Sequence, residues 1–415
     1  MRKVSKLPAD FTLFVTTMIL FAIGILIVFD ASFALAADMK MTDGDSWYFV
    51  KRQFVFGVAG LLAMFIAMRV RLETVRKWSL PLMLLSIMLL GVVMVPGVGM
   101  RVNGATRWLG YGPLRFQPSE LAKFAVVLYM AAALSNQKFR IWKFQSGILL
   151  HLVFVGLVAG LVFVEPDMGT ASLIVINALV MLFVAGALKR HLAFLAGAGA
   201  IGGSLLIIME PYRLARLTTF LHPNRDYYGD GYQVIHSLIA LGSGGLLGTG
   251  ICEGREKFYL PAAQTDFIFS TLGEEAGLLG AIAVVALFML FTYRGLSIAN
   301  RVKSPYHTLL AAGLTSMVGV QAIINIAVVT ATMPATGVPL PFLSYGGSAL
   351  MLTLTAAGLL LNVSRNVYAA AEPEVGDRNE DYIDRRRNRR AHISRSQYSR
   401  RSPVRKSGSR AAVRR

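Results

Sequence analysis

Ten strongly apolar stretches, separated by more polar connections, recur along this chain of 415 residues. They cover residues 11–29, 54–68, 80–95, 121–134, 148–164, 171–188, 193–208, 267–291, 309–329 and 342–361. A helix needs about 20 apolar residues to cross a bilayer, and the shorter stretches reach that length once their flanking residues are included. The pattern therefore predicts an all-α, polytopic membrane protein with about ten transmembrane helices.

The composition agrees with a chain that has a bilayer as its solvent. Hydrophobic residues make up 55% of the chain and charged residues only 16%, which is too apolar for one soluble core. Cys252 is the only cysteine in the sequence, which excludes an intrachain disulfide and makes a cysteine-ligated metal site an unfavourable interpretation.

The basic residues predict the orientation of the helices, because Lys and Arg cluster in alternate connections. These residues are Arg2, Lys3, Lys6, Arg69, Arg71, Arg76, Lys77, Lys138, Arg140, Lys143, Lys189, Arg190, Arg294, Arg301 and Lys303, followed by the basic C-terminal tail. Connections rich in Lys and Arg tend to stay in the cytoplasm. Both termini are therefore expected to be cytoplasmic and the number of spans to be even.

The remaining connections are expected on the outer face, at residues 30–47, 98–118, 165–167, 211–265 and 332–341. The segment 211–265, between the seventh and eighth spans, is too long for an idle connector and is predicted to be functional, with a passive lid as the alternative. Within it, residues 232–247 have helix-like apolar spacing and are expected to lie along the membrane surface.

The chain thus divides into a membrane domain, residues 1–365, which contains the large outer loop, and a basic tail, residues 366–415. The tail composition predicts disorder and attraction to anionic membrane lipids, with a cytoplasmic protein as the alternative partner. Nucleic acid is not expected as a partner, because no aromatic residues interleave with the arginine runs at 385–387 and 389–390 to form a stacking surface.

The first candidate for chemistry is Asp266, an acid that begins a long apolar helix directly after the large outer loop. It is either the N-cap of that helix or a functional carboxylate at the outer mouth, and the residue type alone does not separate the two. Glu274 and Glu275 follow on the same helix, about 12 to 14 Å deeper at 1.5 Å per residue. Carboxylates at that depth must be ion-paired, hydrogen-bonded or protonated, and structural pairing is favoured.

Three further polar places lie on the outer side. Glu120 and Lys123 are three residues apart on one helical face, where they either neutralise each other or leave the lysine to meet a phosphate. Glu165 and Asp167 occupy a short turn that is either a capped turn or part of a site. Residues 339–348 combine prolines with a glycine pair, which breaks a helix near the outer face and predicts a cavity wall.

All of these places are on the outer side, whereas an ion-driven transporter would place its acids near the midplane. The residues alone therefore favour binding or chemistry on an amphiphile at the outer surface. Taken together, residues 107–109, 117–123, 165–170, 265–269 with 273–275, and 343–348 resemble the SEDS family of bacterial shape, elongation, division and sporulation proteins. The resemblance extends to about Arg365, and residues 336–342 and 360–365 are more similar to the division and sporulation members than to the elongation members.

Two residues depart from the family pattern. Glu165 stands where the family often has Gln, and Thr336 stands where some division members carry Lys. These departures concern details of substrate contact and leave the implied reaction unchanged.

The resemblance implies a peptidoglycan glycosyltransferase that polymerises lipid II on the outer leaflet of the bacterial cytoplasmic membrane, at the division septum. Asp266 matches the family's catalytic acid, and Lys123, Arg107 and Arg213 are the candidates to meet the charge of the departing undecaprenyl pyrophosphate. No cofactor is required by the resemblance, although a divalent cation, Mg²⁺ or Mn²⁺, is a further candidate to meet that charge. The implied substrate-binding residues are Arg107, Gln117, Glu120, Lys123, Arg213, Ser344, Tyr345, Gly346, Gly347 and Ser348, with Glu165, Asp167, Glu274 and Glu275 as structural or cavity acids.

The implied partners are lipid II, a class B penicillin-binding protein that acts as the transpeptidase, other division proteins and membrane lipids. Two other functions remain open at this point. One is a lipid II flippase, which would need basic residues along a route across the bilayer, and the other is a non-enzymatic division scaffold that recruits a transpeptidase.

Overall fold

The computed structural model describes residues 9–38, 44–102, 105–111, 114–136, 148–227, 229 and 231–371. Within these ranges the chain is mostly helical, as predicted. The helices are α1 (Phe11–Asp38), α2 (Tyr48–Ala67), α3 (Leu72–Val93), α4 (Pro118–Leu134), α5 (Leu149–Val164), α6 (Met168–Val184), α7 (Lys189–Met209), α8 (Pro211–Leu221), α9 (Tyr232–Ser243), α10 (Ile268–Arg301), α11 (Pro305–Val329) and α12 (Gly347–Ala371). The predicted basic tail lies outside the described residues from residue 372 onward.

Among the described residues, seven helices are long and apolar enough to cross a membrane, namely α1, α2, α3, α7, α10, α11 and α12. Two shorter apolar helices, α5 and α6, and the 17-residue α4 coincide with the three other predicted stretches. The protein is a multi-pass membrane protein. Ten spans and cytoplasmic termini remain predictions.

The buried centre of the membrane domain is built mainly by α4, α11 and α12. In the most apolar parts of α11 and α12, 78% and 72% of the residues are buried inside the protein, whereas no residue of the corresponding part of α7 is buried. Helices that are apolar on every side but buried by protein form the interior of a bundle, and an apolar helix with no protein cover faces lipid. The central helices therefore carry the framework of any site, and α7 lies at the periphery.

Hydrogen bonds and an ion pair join the helix ends on the face that is expected to be cytoplasmic. The Arg294 guanidinium of α10 is 2.7 Å from the Asp10 carboxylate, and the Asp10 main-chain N–H donates to Ser364 Oγ at 3.0 Å. Asn362 of α12 donates to the Ala67 carbonyl at the end of α2. These contacts hold the ends of four helices together opposite the connections that carry the candidate chemistry.

The first helix is longer than predicted, because Asp30 is not a surface residue of a connection. It is 3% exposed within α1, and its Oδ1 lies 2.5 Å from Lys257 Nζ. A paired acid can remain inside a span, so the helix continues to Asp38 and the expected outer connection begins later. The predicted helix at 232–247 forms as α9 and ends at Ser243, where two glycines follow.

A small antiparallel sheet, which the sequence pattern did not predict, fills much of the connection between α3 and α4. Its strands are β1 (Met100–Val102), β2 (Ala105–Tyr111) and β3 (Leu114–Phe116), in the order β1-β2-β3. Leu109 pairs with Phe116 and Met100 with Trp108. The sheet gives Arg107 a fixed position in the connection that is expected on the outer side.

Candidate active site

Asp266 lies in the turn before α10 and does not cap that helix. The helix begins at Ile268, Phe267 occupies the N-cap position, and no side chain there makes a capping hydrogen bond. The N-cap alternative for Asp266 is therefore wrong. Instead, the main chain of Asp266 is held from α11, since Asn325 Nδ2 donates to the Asp266 carbonyl at 2.7 Å and to the Val338 carbonyl at 2.8 Å.

The segment before α12 holds the same turn from the other side. Ser344 Oγ donates to the Thr265 carbonyl at 2.6 Å, and the Tyr345 N–H donates to the Gln264 carbonyl at 2.9 Å. The helix starts only at Gly347, which agrees with the predicted break in this region. The segment supports Asp266 through its backbone, and its own polar groups are used in that support.

The other residues of this segment that were predicted to bind substrate pack against α2. Gln53 Nε2 donates to the Ser344 carbonyl, and the Tyr345 ring lies edge-on to Phe49. Gly347 lies so close to the Phe56 ring that an added Cβ would approach within 2.4 Å. The Gly346 N–H donates to Gln53, and Ser348 is buried in the first turn of α12. These contacts make the segment a packed wall of the candidate site, and not a row of groups that are free to bind substrate. The residues of this wall are Ser344, Tyr345, Gly346, Gly347 and Ser348.

Charges of both signs surround the Asp266 carboxylate. Burial raises its pKa to about 6, and the negative charge of Asp167 adds to that effect, whereas Arg216 and Arg107 oppose it. Arg216 of α8 is held in place by a hydrogen bond of 2.9 Å to the Ala335 carbonyl. At pH 7 the carboxylate is mostly ionised and more basic than an ordinary aspartate, which suits a group that accepts a proton.

Arg107 and Asp167 connect the small sheet to the turn between α5 and α6. Arg107 Nε donates to the Glu165 carbonyl at 2.8 Å, and its Nη2 donates to the Pro166 carbonyl. Asp167 caps α6 by accepting from the Thr170 N–H at 3.1 Å, and its second oxygen accepts from Gln117 Nε2 at 3.3 Å. The capped-turn interpretation therefore holds, and the cap also brings a carboxylate close enough to affect Asp266.

Glu120 and Lys123 neutralise each other. Their charged groups are 2.9 Å apart, and both side chains are 5% exposed. Lys123 also donates to Gln321 Oε1 at 2.8 Å, and Gln321 Nε2 donates to the Pro339 carbonyl. Lys123 was predicted to meet a phosphate, but its ammonium group is instead part of a chain of contacts that links α4, α11 and the segment before α12.

Arg213, also predicted to bind substrate, packs against α5 and the last turn of α7. Its guanidinium stacks 3.8 Å above the Phe163 ring, and Nη1 donates to the Leu206 carbonyl at 3.3 Å. The arginine of α8 whose charge reaches Asp266 is Arg216, which the sequence reasoning missed. Asn325 and Gln321 were missed as well, because the sequence does not show which backbone groups a polar residue inside an apolar stretch will contact.

Glu274 and Glu275 are structural acids whose partners come from the large outer loop. Glu274 Oε1 accepts from the Arg255 and Glu256 N–H groups at 2.6 and 3.1 Å. Glu275 Oε1 accepts from Lys257 Nζ at 2.7 Å. Glu274 and Glu275 lie further along the helix than Asp266. The loop folds back towards these two acids and supplies their partners.

Glu165 is the most isolated acid near the site. It is 2% exposed, and neither carboxyl oxygen has a hydrogen-bond partner among the described residues. Its pKa is raised to about 8, mainly by burial. The negative charge of Asp167 also raises this pKa, and the positive charge of Arg107 lowers it. The group is therefore mostly neutral at pH 7, where an amide would resemble it closely.

We expect Glu165→Gln to stabilise the protein near pH 7. The unfolded chain ionises Glu165 above its ordinary pKa of 4.5, whereas the folded protein keeps it protonated up to about 8. Folding must therefore take up a proton at pH 7, which costs up to about 3 kcal/mol that the glutamine avoids. The advantage should be absent below the unfolded pKa and should grow as pH rises towards the folded pKa.

The measurement is the Tm of the two proteins in detergent at several pH values. Glu253→Gln, at an exposed acid of the outer loop, is the matched control and should not change the Tm. An equal Tm for wild type and Glu165→Gln at pH 7 and above would contradict the neutral state of Glu165.

The described residues contain no group of three or more His, Cys, Asp or Glu side chains that could hold a metal ion. The charges of Arg107 and Arg216 act on the Asp266 carboxylate from the described side chains.

Comparison with known proteins agrees with this fold. The model of the FtsW/RodA/SpoVE family, described as cell cycle proteins, matches residues 11–369. Stage V sporulation protein E of Bacillus subtilis (strain 168) is 44% identical over 87% of this chain and 98% of its own length. The probable peptidoglycan glycosyltransferase FtsW of Trichlorobacter lovleyi is 38% identical over 87% of this chain and 94% of its own length.

Two solved structures share the fold. A chain from a peptidoglycan synthase complex, described as coordinating polymerization and crosslinking, is 30% identical with a TM-score of 0.71. The rod shape determining protein RodA of Thermus thermophilus is 29% identical with a TM-score of 0.64. Each alignment covers 87% of this chain and 98% of the other. The chain therefore belongs to the FtsW/RodA/SpoVE family of cell cycle proteins, the SEDS family that its sequence motifs resemble.

Proposed function

We propose that this protein is a peptidoglycan glycosyltransferase that polymerises lipid II at the outer surface of the membrane. The observation that carries the proposal is the Asp266 carboxylate, whose pKa is raised by burial, whose main chain is held from α11, and on which the charges of Arg107 and Arg216 act. Relatives of similar length that are named probable peptidoglycan glycosyltransferases support it.

The chemistry follows from the chain's own residues. A sugar hydroxyl of the acceptor attacks the anomeric carbon of the donor, and Asp266 accepts the hydroxyl proton as the new C–O bond forms. The bond between the anomeric carbon and the diphosphate oxygen breaks, and undecaprenyl pyrophosphate leaves with the electron pair. Because Asp266 is held at its main chain, its side chain is oriented before substrate binds.

Arg107 and Arg216 meet the charge that develops on the departing diphosphate. Both guanidinium groups donate hydrogen bonds to main-chain carbonyls, which fixes their positions. Fixed cations near the leaving group stabilise the transition state more than the ground state. We assign this role to Arg216 in place of Arg213, and we assign Lys123 a supporting role through Gln321.

As part of this proposal, a Mg²⁺ or Mn²⁺ ion would enter the site together with the diphosphate of the substrate. The described residues offer no cluster of ligands that could hold it without substrate. Such an ion would add positive charge beside the leaving group, next to that of the two arginines.

We further propose that the chain works with a class B penicillin-binding protein, the transpeptidase, and with other division proteins in the bacterial cytoplasmic membrane. The similar chain in a peptidoglycan synthase complex supports the transpeptidase partner. Higher identity to the sporulation and division relatives than to RodA supports a role at the septum.

The competing functions are a lipid II flippase and a scaffold. A flippase needs cations along its route, but Lys123 and Lys257, the buried lysines among the described residues, are both ion-paired. Purified protein, alone and with its transpeptidase, would be given labelled lipid II in detergent and the length of the glycan chains measured. Glycan chains support the proposal, whereas transfer across vesicle membranes without chains, or neither activity in folded protein, contradicts it.

A further inference from the structure

Residues 244–258, here called the re-entrant segment, fold back along α10 and complete its interrupted backbone hydrogen bonds. Gly277 has a φ of 66° inside α10, which breaks the helical ladder at that point. Bonds across the break run from Thr249 N to Glu274 O, Gly250 N to Glu275 O, Leu278 N to Gly245 O and Leu279 N to Leu246 O, at 3.0, 3.2, 3.0 and 3.2 Å. Each element therefore satisfies groups that the other would leave unpaired.

The two backbones approach each other as closely as glycine allows. A Cβ added to Gly277 would come within 2.3 Å of Gly248 N, and one added to Gly248 would come within 2.0 Å of the Glu275 carbonyl oxygen. Contacts this short leave no room to shift the segment along the helix. The position of the segment is thus tied to the register of α10.

A buried ion cluster fixes the far end of the segment. Lys257 Nζ lies 2.5 Å from Asp30 Oδ1 of α1 and 2.7 Å from Glu275 Oε1 of α10. The three side chains are 5%, 1% and 0% exposed. Lys257 thus joins three elements, and removal of its charge would leave two buried carboxylates facing each other.

The chain then runs from Lys257 directly to Asp266. The turns between them are tight, with hydrogen bonds from Leu260 N to the Glu256 carbonyl and from Phe267 N to the Ala262 carbonyl. The side chains of Leu260 and Ala263 are buried, so this stretch has little freedom of its own. A movement of Lys257 would consequently be passed on to the turn that carries Asp266.

We propose that Lys257 is a positioning residue, which through its ion pairs with Asp30 and Glu275 holds the turn that places the Asp266 carboxylate. The inference rests on the proposed function, since it concerns the same reaction. It assigns a role in catalysis to the re-entrant segment, which does not itself contribute a group to the reacting atoms. A carboxylate displaced by about 1 Å loses on the order of 10²-fold in rate, so the network should affect kcat strongly.

The test compares Lys257→Met with Lys257→Arg in the polymerisation of labelled lipid II by the full chain. Lys257→Met should lower kcat by about 10- to 100-fold with KM for lipid II unchanged, because the substrate contacts remain. Arg can still bridge both carboxylates, so Lys257→Arg should recover kcat to within a few-fold of wild type. Lys51→Met, at a 66% exposed lysine on the same side, is the matched control and should keep the wild-type kcat.

If Lys257→Met does not fold, Asp30→Asn replaces it in the test, because that variant keeps the Lys257 pair with Glu275 and weakens only the connection to α1. It should lower kcat several-fold at unchanged KM. A wild-type kcat in a folded Lys257→Met or Asp30→Asn protein would overturn the inference, as would a rise in KM without loss of kcat. Absence of glycan synthesis by the wild-type protein in the same assay would instead overturn the proposed function.

Discussion

Asp266→Asn is expected to reduce lipid II polymerisation by about 10²- to 10⁴-fold, the loss usual when a general base is removed. Asn keeps the size of the side chain but cannot accept the hydroxyl proton. The fold should be retained, because the turn is held through the Asp266 carbonyl and not through its carboxylate. Since burial raises the pKa of Asp266 above its ordinary value, the neutral amide should leave the Tm equal or slightly higher at pH 7.

The measurement is glycan chain formation from labelled lipid II, with the Tm and transpeptidase binding as checks on the fold. Asp45→Asn is the matched control, because Asp45 is a partly exposed acid that pairs with Lys51 and makes no contact with the candidate site. Near-normal polymerisation by a folded Asp266→Asn protein would remove the catalytic assignment and revive the flippase and scaffold functions.

Arg216→Met is expected to lower kcat/KM by about 10²- to 10³-fold, as for loss of a fixed donor that stabilises a developing negative charge. Arg216 is the cleaner choice of the two arginines near Asp266. Arg107 donates to two consecutive carbonyls of the turn between α5 and α6, so its removal would also disturb that turn. The side chain of Arg216 donates to the Ala335 carbonyl, and its charge acts on Asp266.

Arg213→Met is the matched control, since Arg213 lies on the same helix three residues earlier and stacks on Phe163. Its kcat/KM should stay within a few-fold of wild type. Equal losses in Arg213→Met and Arg216→Met would mean that α8 attracts the substrate by general charge, and that Arg216 has no specific position at the leaving group.

The helices and the location of the site could be predicted because both depend on local pattern. Only helices and closed barrels satisfy the backbone in a bilayer, and apolar stretches of this length are too long for barrel strands, so they must be helical. Likewise, Asp266 follows directly on a polar loop, and its position at the start of an apolar helix marked it as a candidate, whereas its catalytic role came from the family resemblance. The broken helix before α12 was visible from its prolines and glycines.

The features that could not be predicted depend on contacts between distant segments. Asp30 was expected in a connection, because the sequence does not show that Lys257, more than two hundred residues later, neutralises it. Arg213 and Arg216 carry the same charge on one helix, and only the packing against Phe163 separates their roles. The short strands around Arg107 have too few residues for an alternating pattern to stand out.

The most direct test of the account is the pH dependence of kcat for lipid II polymerisation by the wild-type protein. Because burial raises the pKa of Asp266 to about 6, the rate should level off above that pH and fall about tenfold per pH unit below it, as the base becomes protonated. The residual activity of Asp266→Asn should show no such acid limb. A wild-type rate that stays constant well below pH 6 while the protein remains folded would contradict Asp266 as the base.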